Sequence, residues 1–292
     1  MAKFHYGGQA VIEGVMIRGV QHVAVAVRKP SGEILVHSEP LPSAIYAGPI
    51  GKIPFVRGLT SLWDMLVLGI RSLTFSADIA LEEEGVEFGG PMMWGTLLFS
   101  LLLGIGLFVI LPALLVGMVD RYVTLPLLGN LAEGLVRLLF YLVYLVVIGR
   151  LPDIRRVFAY HGAEHKTVNA YEAGVPLTPQ DVGTFTTAHS RCGTSLLLIV
   201  LFVFVLLSSM IGRPPLLWRL LSRLVLLPVV AALSYEFLKF TARNDNRAWV
   251  RVLIAPGLLL QRLTTREPDD SMLEVSIAAL RRVLQEDGSA SE

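Results

Sequence analysis

Four stretches of the chain are apolar for about twenty residues or more, the length needed to cross roughly 30 Å of hydrocarbon. The first, Met92 to Val119, carries no charge and is closed by Asp120-Arg121. The second, Leu125 to Gly149, contains Glu133 and Arg137 one helical turn apart, where they can pair and lower the cost of entering a bilayer. The third, Thr194 to Ile211, is uncharged and ends at the tight-turn sequence Gly212-Arg213-Pro214-Pro215. The fourth, Leu216 to Phe240, has Arg219 and Arg223 near its start and Glu236 and Lys239 near its end, positions from which long side chains can snorkel. An earlier stretch, Phe55 to Ala80, is interrupted by Arg57, Asp64 and Arg71 at seven-residue spacing. One polar stripe on an otherwise apolar helix reads as an interfacial amphipathic helix rather than a span.

Outside these stretches the pattern changes period. His22 to Arg28 alternates Val with Ala, Pro30-Ser31-Gly32 is a turn, and Glu33 to Ser38 is a second short strand, so a β-hairpin is expected. Before it, Gly7 to Gly19 is rich in glycine with a lone Glu13 and Arg18, which suggests closely packed backbone, or turns with a salt bridge. Asp153 to Ala173 is a helix that follows Pro152 and exits at Gly174-Val175-Pro176. Pro268 with Asp269 and Asp270 opens a last helix, whose Leu273, Ile277, Leu280 and Leu284 form an apolar stripe for packing on other cytosolic parts or on the membrane surface. The residues after Glu286 read as a frayed tail.

The expected fold is therefore a mainly α membrane protein with about four transmembrane helices in two hairpins, a small N-terminal β-hairpin unit and cytosolic helices. Its segments are a β-containing unit (1–50), an interfacial helix and linker (51–90), a first transmembrane hairpin (91–150), a His-rich segment (151–193), a second hairpin (194–240) and a C-terminal segment with an amphipathic helix (241–292). Lys and Arg crowd the segments between and beyond the hairpins, at Arg150, Arg155, Arg156, Lys166, Arg243, Arg247 and Arg251. The positive-inside rule then puts these segments, and both termini, in the cytosol. The N-terminus lacks a basic stretch followed by an apolar one and is expected to be no signal peptide.

Composition narrows the classes. A hydrophobic fraction of 53%, a charged fraction of 17% and a mean hydropathy of +0.61 exclude a disordered chain and leave the bilayer as the first partner. A single cysteine, Cys192, excludes a disulfide scaffold. The net charge of +1 gives no basic face for nucleic acid.

The stretch that could carry chemistry is His161-Gly162-Ala163-Glu164-His165. Imidazoles four apart share a helix face and can give one ion two nitrogen ligands, with Glu164 beside them as a general base. This is the inverted zincin order. With 6 His and 15 Glu in 292 residues, its chance expectation is roughly 0.006 occurrences. The competing reading is a set of hydrogen bonds and a salt bridge to Arg155, Arg156 or Lys166. A divalent metal, zinc by ligand type, needs a third protein ligand. His189 is the expected one, with Cys192 and Glu236 as additional or rival ligands and Asn244 and Asp245 as weaker ones. His5, His22 and His37 read as strand or surface residues. Arg243 and Arg247 could hold a headgroup, with Glu13 and Arg18 in support, although ordinary positive-inside anchoring accounts for the arginines as well.

The runs Gly7-Gly8-Gln9-Ala10-Val11-Ile12-Glu13-Gly14-Val15-Met16, His161 to Thr167, His189 to Ser195 and Leu260 to Pro268, in this order, resemble the YqhQ family of bacterial membrane proteins. The resemblance covers nearly the whole chain. It implies a multispanning bacterial protein of the kind labelled a predicted metal-dependent enzyme.

Two functions follow as expectations. One is a metal-dependent hydrolase of the bacterial cytoplasmic membrane, facing the cytosol and acting on a membrane-associated peptide or lipid. The other is a non-catalytic transporter or assembly factor with structural or metal-sensing histidines. Against a transporter, the spans carry few ionisable residues at mid-membrane depth.

Overall fold

The computed structural model describes residues 6–41, 53–82, 90–118, 125–212, 214–244 and 247–289. The chain starts with four strands, β1 (Gly7–Val11), β2 (Gly14–Arg18), β3 (His22–Arg28) and β4 (Ile34–Pro40), in one antiparallel meander. The expected hairpin is its second half. The glycine-rich run is a further hairpin, β1–β2, which the glycines disguise. Its register pairs Val11 with Gly14, so Ile12-Glu13 is the turn, and Glu13 adopts the left-handed conformation at φ 52°.

Val and Ala alternate along β3 because the two faces of the sheet meet different partners. Ala24 and Ala26 share a face with Val15 and Ile17, while Val23, Val25 and Val27 share the other with Met16. The alanines let a helix approach closely; the valines fill the space beneath a more distant one. With both faces covered, β2 is almost entirely buried and loses the alternation by which a half-exposed strand is recognised.

The first helix, α1 (Val56–Ala80), covers the valine face with Leu68 and Ile79. Its polar stripe turns partly inward, with Arg71 left exposed. Asp64 is buried, and burial pushes its carboxyl up while Arg18 on β2 and Arg71 pull it back down. Arg57 forms a two-bond fork with Glu236, at 2.7 and 2.5 Å. Leu59, Trp63, Leu66 and Leu73 form the exposed side. Glu13 and Arg18 therefore make no salt bridge with each other. Five residues apart across a turn, they leave the sheet on opposite faces, Arg18 toward α1 and Glu13 toward Arg156 on the other side, at 2.5 Å for both bonds.

Among the described residues, four helices are long and apolar enough to span a membrane: α2 (Gly90–Gly117), α3 (Pro126–Ile148), α6 (Gly193–Ile211) and α7 (Leu216–Arg243). Only 17% to 28% of their most apolar windows is buried inside the protein, so most of their surface is left for lipid. α2 contains a π-turn at Gly106–Ile110, one step before Pro112. Proline has no N–H to offer the carbonyl four residues back, Phe108, and that oxygen accepts instead from Arg137 Nε of α3 at 3.0 Å. Arg137 also pairs with Glu133 at 2.5 Å, as their spacing predicts.

Between the hairpins lie α4 (Pro152–Glu172) and the short α5 (Pro179–Gly183). After α7 come α8 (Ala248–Thr264) and α9 (Asp270–Ser289). α8 is absent from the sequence expectation, where Arg247, Arg251 and Arg262 mask its apolar pattern. It crosses α6 where Gly257 meets Ser195; a Cβ on Gly257 would lie 2.6 Å from the serine oxygen.

α9 lays Leu273, Ile277 and Leu280 on the alanine face of the sheet and on α4, so the stripe is core rather than membrane-facing. Each such burial contributes about 1.5–3 kcal/mol. The tail is not frayed at Glu286, because Asp287 accepts the backbone N–H groups of Val20, Gln21 and His22 at 2.7, 3.0 and 3.1 Å and ties the helix end to the β2–β3 turn.

Asp269 caps α9 by accepting the Ser271 hydroxyl at 2.6 Å and the Met272 N–H at 3.0 Å. Chiefly through the Ser271 bond, its carboxyl is held below the ordinary range. A depressed pKa gives stability that is present above the unfolded carboxyl's pKa and lost as pH falls through the folded one. Asp269→Ala is accordingly expected to be about 1 kcal/mol less stable than wild type at neutral pH, with the difference shrinking as pH falls through that range, checked by thermal unfolding of both across pH.

Candidate metal centre

α4 begins with proline in its first turn and stops before Gly174, which takes φ 74° as a helix exit requires. Tyr160, Ala163, Val168 and Ala170 face the core under α9, which turns His161 and His165 to the side where α6 begins. Their rings stand 4.4 Å apart, edge to face. His161 Nδ1 lies 2.9 Å from the Thr264 carbonyl oxygen, and His165 Nδ1 lies 2.6 Å from that of Thr187. A carbonyl oxygen only accepts, so both Nδ1 atoms carry a proton, and it is the neutral form of each ring that offers an Nε2 lone pair. Cys192, at the start of α6, brings Sγ to 3.3 Å from His161 Nε2. One ligand atom from each of His161, His165 and Cys192 lies within 4.8 Å of the others.

The supports of this cluster come from distant parts of the chain. Gly162 lets the segment after α8 cross α4 directly; a Cβ there would sit 2.1 Å from the Arg266 carbonyl oxygen. Arg266 N–H donates to the Phe158 carbonyl at 2.9 Å, which brings Thr264 over His161. Asn169, one turn beyond His165, donates to the carbonyls of Thr186 and Ala188 at 3.1 Å each and holds the loop that presents Thr187. Buried Gln261 of α8 accepts the His189 N–H at 2.9 Å and donates to its carbonyl at 2.8 Å, fixing the strand that leads to Cys192. Sequence reading missed Thr187, Asn169, Thr264 and Gln261. All four act on or through main-chain carbonyls, which leave no mark in residue type; a glutamine within an apolar stretch was the one available signal.

The other expected site residues fall as follows. His189 packs beside His165 with ring centres 5.5 Å apart, and its Nε2 faces Arg191 NH2 at 3.3 Å, outside the three-residue group. Arg191 pairs in turn with Glu172. Glu164 is buried; one carboxylate oxygen accepts the Gly8 N–H of β1 at 3.0 Å and the other lies 3.5 Å from His165 Nε2. Glu236 is held by Arg57 and lies outside the group. Glu13 supports α4 from the sheet, accepting Arg156 and, at 3.3 Å, the Tyr160 hydroxyl, which burial and Glu13 push up. Arg18 faces α1. Arg243 and Arg247 are exposed at the corner between α7 and α8, and Asp245 lies outside the described residues.

The donor set suits a borderline-soft divalent ion. Ligand atoms at 2.0–2.3 Å from a tetrahedral zinc are roughly 3.5 Å apart. The Cys192–His161 separation of 3.3 Å is close to that, and ring nitrogens anchored through Nδ1 are the usual outer support of such a site. A cleft of about 470 Å³ lies beside the cluster, lined by Thr186, Thr187 and Ala188 on one side and Leu258, Leu259 and Gln261 of α8 on the other. It shares Thr187 and Gln261 with the support of the histidines.

Comparison with known proteins adds two findings. The family model described as "Protein of unknown function (DUF1385)" matches residues 53–286. The "Uncharacterized protein YqhQ" of Bacillus subtilis (strain 168) is 33% identical over 293 residues, covering 96% of this chain and 92% of that protein. No solved structure matches the chain.

Proposed function

The chain belongs to the DUF1385 family and is a relative of YqhQ, and from this premise we propose that it is a metal-dependent hydrolase of the bacterial cytoplasmic membrane, with its centre on the cytosolic side. The observation that carries the reading is the convergence of His161, His165 and Cys192 with both Nδ1 protons locked onto carbonyls. Three protein ligands leave one tetrahedral position open, the arrangement of catalytic rather than structural zinc. Zinc bound there would supply Lewis acidity toward a carbonyl or phosphoryl group.

The chain's own residues do the rest. Glu164, with one oxygen tied to β1 and the other facing the cluster, is oriented to accept a proton from an attacking water. The Thr187 and Thr264 carbonyls keep both imidazoles in the tautomer that ligates. The cleft against α8, apolar on one wall and threonine-lined on the other, favours a substrate with an acyl or peptide portion held at the membrane surface.

One observation favours a second reading. The Glu164 bond to Gly8 N–H is a structural tie between α4 and the sheet, as expected of a non-catalytic binding protein. Glu164→Gln separates the two. It keeps an acceptor for Gly8 and is expected to retain metal while losing about 10²- to 10⁴-fold of activity, read as failure to complement a deletion strain. Full complementation by a metal-loaded Glu164→Gln protein overturns the hydrolase and leaves the binding role.

A further inference from the structure

The end of the spans away from the histidines holds a second cluster. Arg137 and Glu133 of α3 and Arg219 and Arg223 of α7 are all buried, at 8%, 1%, 5% and 2% exposure, although Arg219 and Arg223 were expected to reach outward. Arg223 turns into the bundle because α3 and α6 offer partners there. Arg223 donates to Asn130 Oδ1 at 2.9 Å, and Asn130 Nδ2 donates to the carbonyls of Ser208 and Gly212 at 3.1 and 3.4 Å. The guanidiniums of Arg137 and Arg223 both stand over the Phe204 ring, at 4.9 and 5.9 Å. Among the described residues the cluster contains three guanidiniums and one carboxylate.

We propose that this cluster binds a phosphate group. Three arguments carry it. Ionisable groups inside a membrane bundle are costly and are kept where they serve a ligand or a path. Guanidiniums match the several acceptor oxygens of a phosphate with their planar sets of donors. The Ser208 hydroxyl, one helical turn from Phe204 on the same face of α6, is 2% exposed and has no hydrogen-bond partner, a buried donor with nothing to receive it.

Depth selects the same ligand. α6 has 19 residues, about 28 Å of helix, close to the thickness of the hydrocarbon layer. The Asn130–Gly212 contact therefore lies at the level where headgroup phosphates begin, with Arg219 within about one turn of it. The phosphate has two sources, an anionic lipid or the aqueous side.

The test uses the full chain in detergent, by native mass spectrometry with added phosphatidylglycerol and, separately, by titration with inorganic phosphate. Retention of one phosphatidylglycerol per chain, reduced about tenfold in Ser208→Ala and in Arg223→Gln, supports a lipid phosphate. Saturable binding of inorganic phosphate with the same losses supports a free one. Ser208→Ala removes a hydroxyl that has no partner and leaves the fold intact, so it decides the matter if Arg223→Gln does not fold. Binding of neither probe by the wild type, or equal binding by Ser208→Ala and wild type, overturns the proposal.

Discussion

Protein carrying His161→Ala together with His165→Ala is expected to bind no stoichiometric zinc, where the wild type binds about one ion per chain. Two of three ligands are removed, and Cys192 alone gives no chelate. Metal analysis after equilibrium dialysis reads the stoichiometry, and thermal unfolding reads its consequence. An ion that binds only the folded chain stabilises it by about 4 kcal/mol at a thousand times its dissociation constant. Zinc should therefore raise the unfolding midpoint of the wild type and leave that of the variant unchanged. The variant will also be less stable without metal, since His165 is 1% exposed and its loss leaves the Thr187 carbonyl without its donor. The difference between metal-free and metal-loaded protein separates that effect from ligation. Equal uptake by variant and wild type would remove the metal centre, and with it the hydrolase.

Gly162→Ala is expected to be strongly damaging for a single added methyl group. Its Cβ would lie 2.1 Å from the Arg266 carbonyl oxygen, and both partners are backbone, one within α4 and the other bonded to Phe158. Neither yields by a rotamer change, so the segment must lift from the helix at a cost of about 3 kcal/mol. Lifting it draws Thr264 away from His161 Nδ1. Loss of such a support typically lowers metal affinity by about 10- to 100-fold. Denaturant unfolding and zinc titration check the two effects together. Gly104→Ala is the control, because a Cβ there meets nothing within 4 Å. That substitution should be neutral, and equal damage from both would show that the crossing is not what Gly162 serves.

The spans were legible because an uncharged apolar run of about twenty residues is too costly to leave in water and long enough to cross a bilayer. The structure agrees with each to within a few residues. The same low charge that revealed them hid the side chains they enclose. Arg219 and Arg223 look like surface anchors in a linear reading, since nothing in the pattern shows that both are buried and that Asn130 and Phe204 of two other helices meet Arg223. The π-turn of α2 is half legible. Pro112 announces a freed carbonyl, but that Arg137 of another helix takes it is a tertiary fact.

The candidate site divides in the same way. Helical spacing alone puts His161 and His165 on one face, because four residues make about one turn whatever surrounds them. Which third residue joins them was open between His189, Cys192 and Glu236. The packing of α6 and α8 against α4 brings Cys192 to the pair, turns His189 toward Arg191 and leaves Glu236 with Arg57. The sequence by itself determined the four spans, the β3–β4 hairpin, α4, α9 and the pair, since these rest on local periodicity, whereas the β1–β2 hairpin and α8 emerged only in the structure. Only the tertiary structure decided which third side chain stands beside the pair, the orientation of the rings and the charged cluster between the spans, because each depends on contacts between residues far apart in the chain.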